Sequence, residues 1–304
     1  MEPEISFSII IPTYNRARFI LNTIESVQQQ RYPHFEIIII DDGSTDNTEA
    51  IVAAVTDSRI RYLKIENSER GFARNAGVKI ATGNYISFLD SDDFVYPHYL
   101  SNAFRKLKEN NFPVFYHQAY EVQNEKGQVL KYANEVIGDY KKYLVKGNPL
   151  SCLGVFVKRK EALQFPFMED RNLSGSEDWE LWLRLASNFG IVTDKTITAC
   201  LILHDDRSVL SINEEKLLLR KNLALQYAFM DPMVKEKFGN ARNKMEAFCD
   251  TYISLHLLLA FQNAKGLKYL FHAIFSYPLC IFERRFLAIW KYFILNITRN
   301  RKPV

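Results

Sequence analysis

The 304-residue chain is short of several things that would declare a function at once. Its four cysteines, Cys152, Cys200, Cys249 and Cys280, are far apart and form no C-x-x-C pair. That argues against a zinc site or a disulfide framework, and reduced thiols in a cytoplasmic protein are expected. No apolar run reaches the ~18 residues that a membrane-spanning helix needs. No Gly-rich triphosphate loop follows the first strand-like segment, as a nucleotidyltransferase would require. Repeats and low-complexity segments are missing. The N-terminus has no basic region or cleavage site, so no signal peptide is expected.

Hydrophobic residues make up 47% of the chain, enough for a substantial core. The net charge of +4 is unevenly spread. From Ile253 to Val304 eight Lys or Arg residues face only Glu283; this +7 leaves −3 for the rest. Such a basic tail points to an anionic partner. Its Leu, Phe and Ile content favours a membrane surface over nucleic acid.

Strand and helix patterns alternate in the first half. Strands are expected at Ile5–Ile11, Phe35–Ile40, Ile60–Ile65 and Tyr85–Leu89. Helices are expected over Arg16–Gln30, capped by Asn15, over Thr45–Val55, over Phe72–Ile80, and from Pro97 to Glu109. This order predicts an α/β fold with a mixed, mostly parallel sheet and helices on both faces. Further on come a hairpin around Asn124–Gly127, a strand at Leu150–Val157, a helix at Glu177–Ser187 and a strand at Ile197–Leu203. From Asn213 onward only helical patterns remain. A boundary near residue 210 is expected.

Three polar loops follow three of these strands: Pro12-Thr13-Tyr14-Asn15-Arg16, Asp41-Asp42-Gly43-Ser44-Thr45-Asp46 and Asp90-Ser91-Asp92-Asp93. Parallel strands would bring all three to one sheet edge, where open α/β sheets bind ligands. Carboxylates crowded there repel one another unless a cation joins them, and a divalent ion holding a diphosphate would do so. A solvated acidic loop, a turn and a helix cap are the alternative readings of these stretches.

Together with Gly71-Phe72-Ala73-Arg74-Asn75-Ala76-Gly77, these motifs resemble the family 2 glycosyltransferases of GT-A (Rossmann-like) fold over roughly residues 5–210. The resemblance implies a GT-A catalytic domain over 1–210, with nucleotide-sugar binding in about 1–110 and the acceptor side in about 111–210. A helical, basic C-terminal region would occupy 211–304. It implies a nucleotide-sugar donor, usually a UDP-sugar. Thr13 and Asp41 would contact the uridine, with Tyr14 beside them; Arg74 would lie near the base and diphosphate. Asp90 would bind ribose, and Asp92 would ligate Mn²⁺ or Mg²⁺ with Asp93 behind it. His204 would be a further metal or phosphate contact. In Glu177-Asp178 followed by Leu181-Trp182-Leu183-Arg184, the resemblance makes Asp178 the general base of a single inverting displacement; the other reading is a carboxylate stabilised at a helix start.

Processive synthases of this family usually carry Gln-x-x-Arg-Trp and transmembrane helices. Neither is found, so addition of one hexose to a glycan or lipid-linked saccharide is expected, in surface polysaccharide synthesis. A catalytically silent nucleotide-sugar binder is the rival. The Asp205–Ser211 stretch is expected to close as a lid. Basic residues beside Trp290, Tyr292 and Phe293 suggest peripheral attachment to the inner face of an anionic membrane.

Overall fold

A computed structural model describes residues 5–133, 138–204 and 213–298. The Asp205–Ser211 lid expectation lies outside them.

Four parallel strands form the first half of one nine-stranded sheet: β1 (Phe7–Thr13), β2 (Phe35–Asp41), β3 (Ile60–Lys64) and β4 (Tyr85–Phe88). β1 is buried at every position and β2 at all but Glu36, as expected of strands covered on both faces. The second half adds β5 (Phe94–Val95), β6 (Phe115–Asn124), β7 (Val129–Ala133), β8 (Val155–Lys158) and β9 (Val192–Leu203). The spatial order is β3-β2-β1-β4-β8-β6-β9-β5, with β7 also on β6.

Alternation along the strands makes two cores. Ile10, Ile38, Ile40, Ile86 and Phe88 face α3 (Arg70–Ile80) and α7 (Glu177–Phe189). Phe7, Ile9, Ile11, Ile37 and Ile39 face α1 (Ile20–Gln28) and α4 (Tyr99–Glu109). α3 lies so close to β1 that a Cβ on Gly77 would sit 2.5 Å from Ile10 Cγ2.

Several element limits differ from expectation. α1 begins at Ile20, not Arg16, because Asn15 does not cap it. Asn15 sits at φ +52°; its amide donates to Ser44 Oγ (2.9 Å) and its Oδ1 accepts from Thr45 N (2.8 Å). The loop is held across to the next strand's loop, and the helix starts after it. The second helix, α2, is only Thr48–Ala53, since Asp46 turns back to accept from Thr48 N (3.0 Å). Residues Cys152–Gly154 are a 3₁₀ turn ahead of β8. β9 starts five residues before the expected Ile197.

The chain between the strands of the second half forms α5 (Tyr140–Leu144) and α6 (Arg159–Gln164). After β9 come α8 (Glu214–Ala228), α9 (Pro232–Phe238), α10 (Arg242–Leu259), α11 (Asn263–Ser276) and α12 (Arg284–Thr298). These helices are not detached from the sheet. Ala224, Leu225, Val234, Phe238, Met245 and Phe248 belong to the same buried cluster as Trp179, Trp182 and side chains of β1, β2 and β4. No helix among the described residues is long and apolar enough to cross a membrane.

Candidate active site

The register fixes the site. Thr13 pairs with Asp41 at the ends of β1 and β2, and Leu89 donates its amide to Ile10 O (3.0 Å) just before Asp90. The three polar loops therefore meet at one sheet edge. Beside them lies a cleft of about 840 Å³. Thr13, Tyr14, Asp90 and Asp92 line it from the strand ends; Lys216 and Arg220 of α8 line it too. Thr13 Oγ1 is buried with no hydrogen-bond partner among the described residues.

Asp41 is not on the cleft wall. It is fully buried, accepting from Ser44 N (2.6 Å) and Tyr62 Oη (2.6 Å). Its neighbour Asp42 faces the cleft and accepts from Ser68 N (2.7 Å) and Glu69 N (2.9 Å). Burial raises its carboxyl above the ordinary value despite those bonds. Asp93 holds the sheet together by accepting from Ile202 N of β9 (2.9 Å).

Asp92 and His204 are brought together from distant parts of the chain: Oδ2 lies 3.1 Å from Nε2. Arg16 Nε is 3.5 Å from the same oxygen. The imidazole is buried, stacks on Phe19 at 4.5 Å between centroids, and leaves Nδ1 without a hydrogen-bond partner among the described residues.

Arg74 does not line the cleft; it is a buried tie rod. Nη2 meets Asp90 Oδ1 at 2.8 Å and Nη1 meets Glu177 Oε1 at 2.9 Å. Charge-assisted bonds of this kind are strong and directional. They couple the loop after β4 to the start of α7. Glu177 also lies 3.8 Å from Arg70 Nε and accepts from Gly175 N (2.6 Å). Burial pushes its carboxyl up, and the two guanidiniums more than reverse this, leaving it below the usual range.

Asp178, next to Glu177, is not among the cleft-lining residues, although Ser174 on the same turn is. Its Oδ1 accepts from Trp179 N (2.8 Å) and its Oδ2 from Asn148 Nδ2 (2.7 Å). Burial, then the adjacent Glu177 charge, raise its carboxyl to about 6. Lys221 of α8 reaches this turn from the other side. Its Nζ donates to Ser176 Oγ (3.1 Å) and lies 5.2 Å and 4.6 Å from the Trp179 and Tyr252 ring centroids.

The sequence pattern did not single out Asn148, Glu177 or Lys221 as supports of this site. Glu177 stands inside a motif already noted, and its burial was the missing signal. Asn148 and Lys221 carry no local signature, because their role depends on contacts 30 and 45 residues away along the chain.

The glycosyl transferase family 2 model matches residues 8–158. An Escherichia coli protein, the UDP-Glc:alpha-D-GlcNAc-diphosphoundecaprenol beta-1,3-glucosyltransferase WfgD, is 33% identical over 217 residues, 70% of this chain and 83% of that one. The chain belongs to glycosyl transferase family 2. Asp178 and His204 lie beyond the span that the family 2 model matches. An uncharacterized glycosyltransferase of Rickettsia felis is 37% identical over 190 residues, 60% of this chain but 31% of its own length. The chain thus spans about a third of the curated relatives it matches first. Among solved structures, PcManGT of Pyrobaculum calidifontis, a mannosyltransferase in complex with GDP-Man and Mn²⁺, superposes with a TM-score of 0.62 at 17% identity, covering 98% of this chain and 88% of that one. The S. aureus TarS fragment 1–349 in complex with UDP-GlcNAc gives 0.61 at 18%, covering 90% and 92%. These likenesses establish the GT-A fold of this family 2 chain.

Proposed function

We propose that the chain is an inverting, metal-dependent glycosyltransferase. It moves one hexose from a nucleotide-diphosphate sugar, a UDP-sugar, to a hydroxyl of a lipid-linked saccharide in surface polysaccharide synthesis. The observation that carries this reading is the bridge Asp90–Arg74–Glu177, which joins the strand-end loops to the turn that bears Asp178. The names of WfgD and of WfaP, a second Escherichia coli relative 33% identical over 237 residues, support the donor and acceptor classes.

Thr13, Tyr14 and Asp42 line the nucleotide side, with Asp41 behind them shaping the loop. Asp90, steadied by Arg74, faces the ribose. Asp178 accepts the proton of the acceptor hydroxyl as that oxygen attacks the anomeric carbon. The bond from that carbon to the diphosphate oxygen breaks on the opposite face, so configuration inverts. Asn148 orients the accepting carboxylate.

The donors at Asp92 and His204 fit a divalent ion: a carboxylate oxygen and an imidazole nitrogen 3.1 Å apart, on a buried ring whose Nδ1 has no hydrogen-bond partner among the described residues. No group of three or more metal-binding side chains exists among the described residues, so the diphosphate itself would complete the coordination. When bound, Mn²⁺ or Mg²⁺ neutralises charge on the departing diphosphate.

The basic C-terminal helices are read as a peripheral contact with an anionic bilayer. Phe275 is 89% exposed and Phe282 81%, with Phe271 and Leu287 also bare. An apolar surface of this kind marks an interaction site.

Two variants test the enzymatic reading. Asp178→Asn should keep UDP-sugar binding in calorimetry and lower transfer by about 10²–10⁴-fold. Asp92→Ala should remove the metal-dependent part of donor binding. Full turnover by Asp178→Asn would refute the base assignment, and a wild type that binds UDP-sugar but transfers nothing would favour a silent binder.

A further inference from the structure

Two cations of the cleft have no role in the reading above. Lys216 and Arg220 stand one turn apart on α8 and both line the cleft. Residues at this spacing share a helix face, with Cβ atoms about 5–6 Å apart. Neither has a carboxylate within ion-pair distance among the described residues. The other cationic side chains around the cleft are committed: Arg16 to Asp92, Arg70 to Glu177, and Arg171 to the Asn67 carbonyl. Among the described residues Arg220 has only a 3.5 Å contact from Nη2 to Tyr252 Oη, and its buried Nε has no partner there. A buried guanidinium donor without an acceptor is costly unless a ligand supplies one.

Position says which ligand. A Cβ on Gly175 would lie 2.9 Å from Arg220 Nη1. The guanidinium therefore packs against the turn that leads into Asp178. It belongs to the base's side of the cleft, whereas Asp92 and His204 belong to the strand-end loops. The donor's diphosphate goes to the latter. An anion at Arg220 enters with the acceptor.

We infer that Lys216 and Arg220 form a second anion subsite, which holds the diphosphate of a lipid-diphosphate-linked acceptor. This rests on the reading that the cleft takes a nucleotide sugar and a lipid-linked acceptor. Two phosphates match two cations one helical turn apart, and a guanidinium can grip one of them through paired N–H groups. The acceptor sugar, anchored in this way, would present its hydroxyl to Asp178. Binding energy at this subsite is remote from the reacting atoms and sets their alignment.

The test uses the full chain and does not need turnover. Decyl diphosphate, decyl glucoside and UDP with Mn²⁺ are titrated separately into the wild type, Arg220→Gln and Lys216→Gln, each variant first checked for an unchanged Tm. The wild type should bind decyl diphosphate at least tenfold more tightly than decyl glucoside. Each variant should lose tenfold or more of the decyl diphosphate affinity and keep UDP affinity within twofold. Arg220→Lys should recover part of the loss. A fall in UDP affinity with decyl diphosphate unaffected would assign these cations to the donor and overturn the proposal. So would equal binding of the two decyl compounds by the wild type. Should Arg220→Gln fail to fold, the exposed Lys216 decides alone. Loss of transfer in the wild type would discredit the proposed function, while these affinities would still judge the subsite.

Discussion

Asp178, the proposed base, shows how neighbours can tune a single side chain. Its proton affinity rises because burial and Glu177 disfavour the ionised form. In the proposed role it must be ionised to accept a proton. Transfer should therefore fall as pH drops through about 6 and level off above it. Lys221 opposes the rise, since its positive charge favours the carboxylate. Lys221→Met should move the acid limb of the kcat–pH profile upward while its plateau rate changes less. A limb that stays in place would mean that Lys221 only fills space between Trp179 and Tyr252. The candidate residues of the three loops and of the Glu177-Asp178 pair could be read from local motifs. Their supports could not. Arg74 looks like a helix surface position by periodicity, and its burial comes with distant partners, Asp90, Glu177 and the Phe167 ring. Asp41 and Asp42 are equivalent in sequence, and the pleat of β2 decides which one faces the cleft.

Elements were legible where hydrophobic periodicity was long and uninterrupted. β1, β2, α3, α4 and α7 lie where their patterns put them, give or take two residues. Misreadings cluster where a polar side chain has two local options. Asn15 could cap a helix or tie two loops together, and it does the second. β9 begins early because its pairing with β6 begins at Val192, a partnership that no local pattern shows. Packing between elements is tight at α3 on β1. Gly77→Ala should destabilise the protein by about 1–3 kcal/mol through overpacking against Ile10. Thermal unfolding would register this as a Tm lower by several degrees. An unchanged Tm would show that β1 and α3 can separate at little cost.

At the level of the whole molecule, the C-terminal helices face two ways. One side completes the core under α7, and the other leaves aromatic side chains bare. The basic character of this region supports the proposed contact with anionic lipid. Replacing Phe275 and Phe282 by Ser should cut co-flotation with phosphatidylglycerol vesicles severalfold without lowering Tm. Equal flotation of the double variant would remove the bilayer assignment. The sequence announced the basic, apolar tail but not that its first helix, α8, would wall the cleft.

That shared wall constrains how such enzymes can be recombined. A chimera spliced after Leu203 would exchange cleft lining, the surroundings of Asp178 and outer aromatic surface as one package. Grafting new selectivity onto this scaffold would have to begin with α8 and carry its packing partners along.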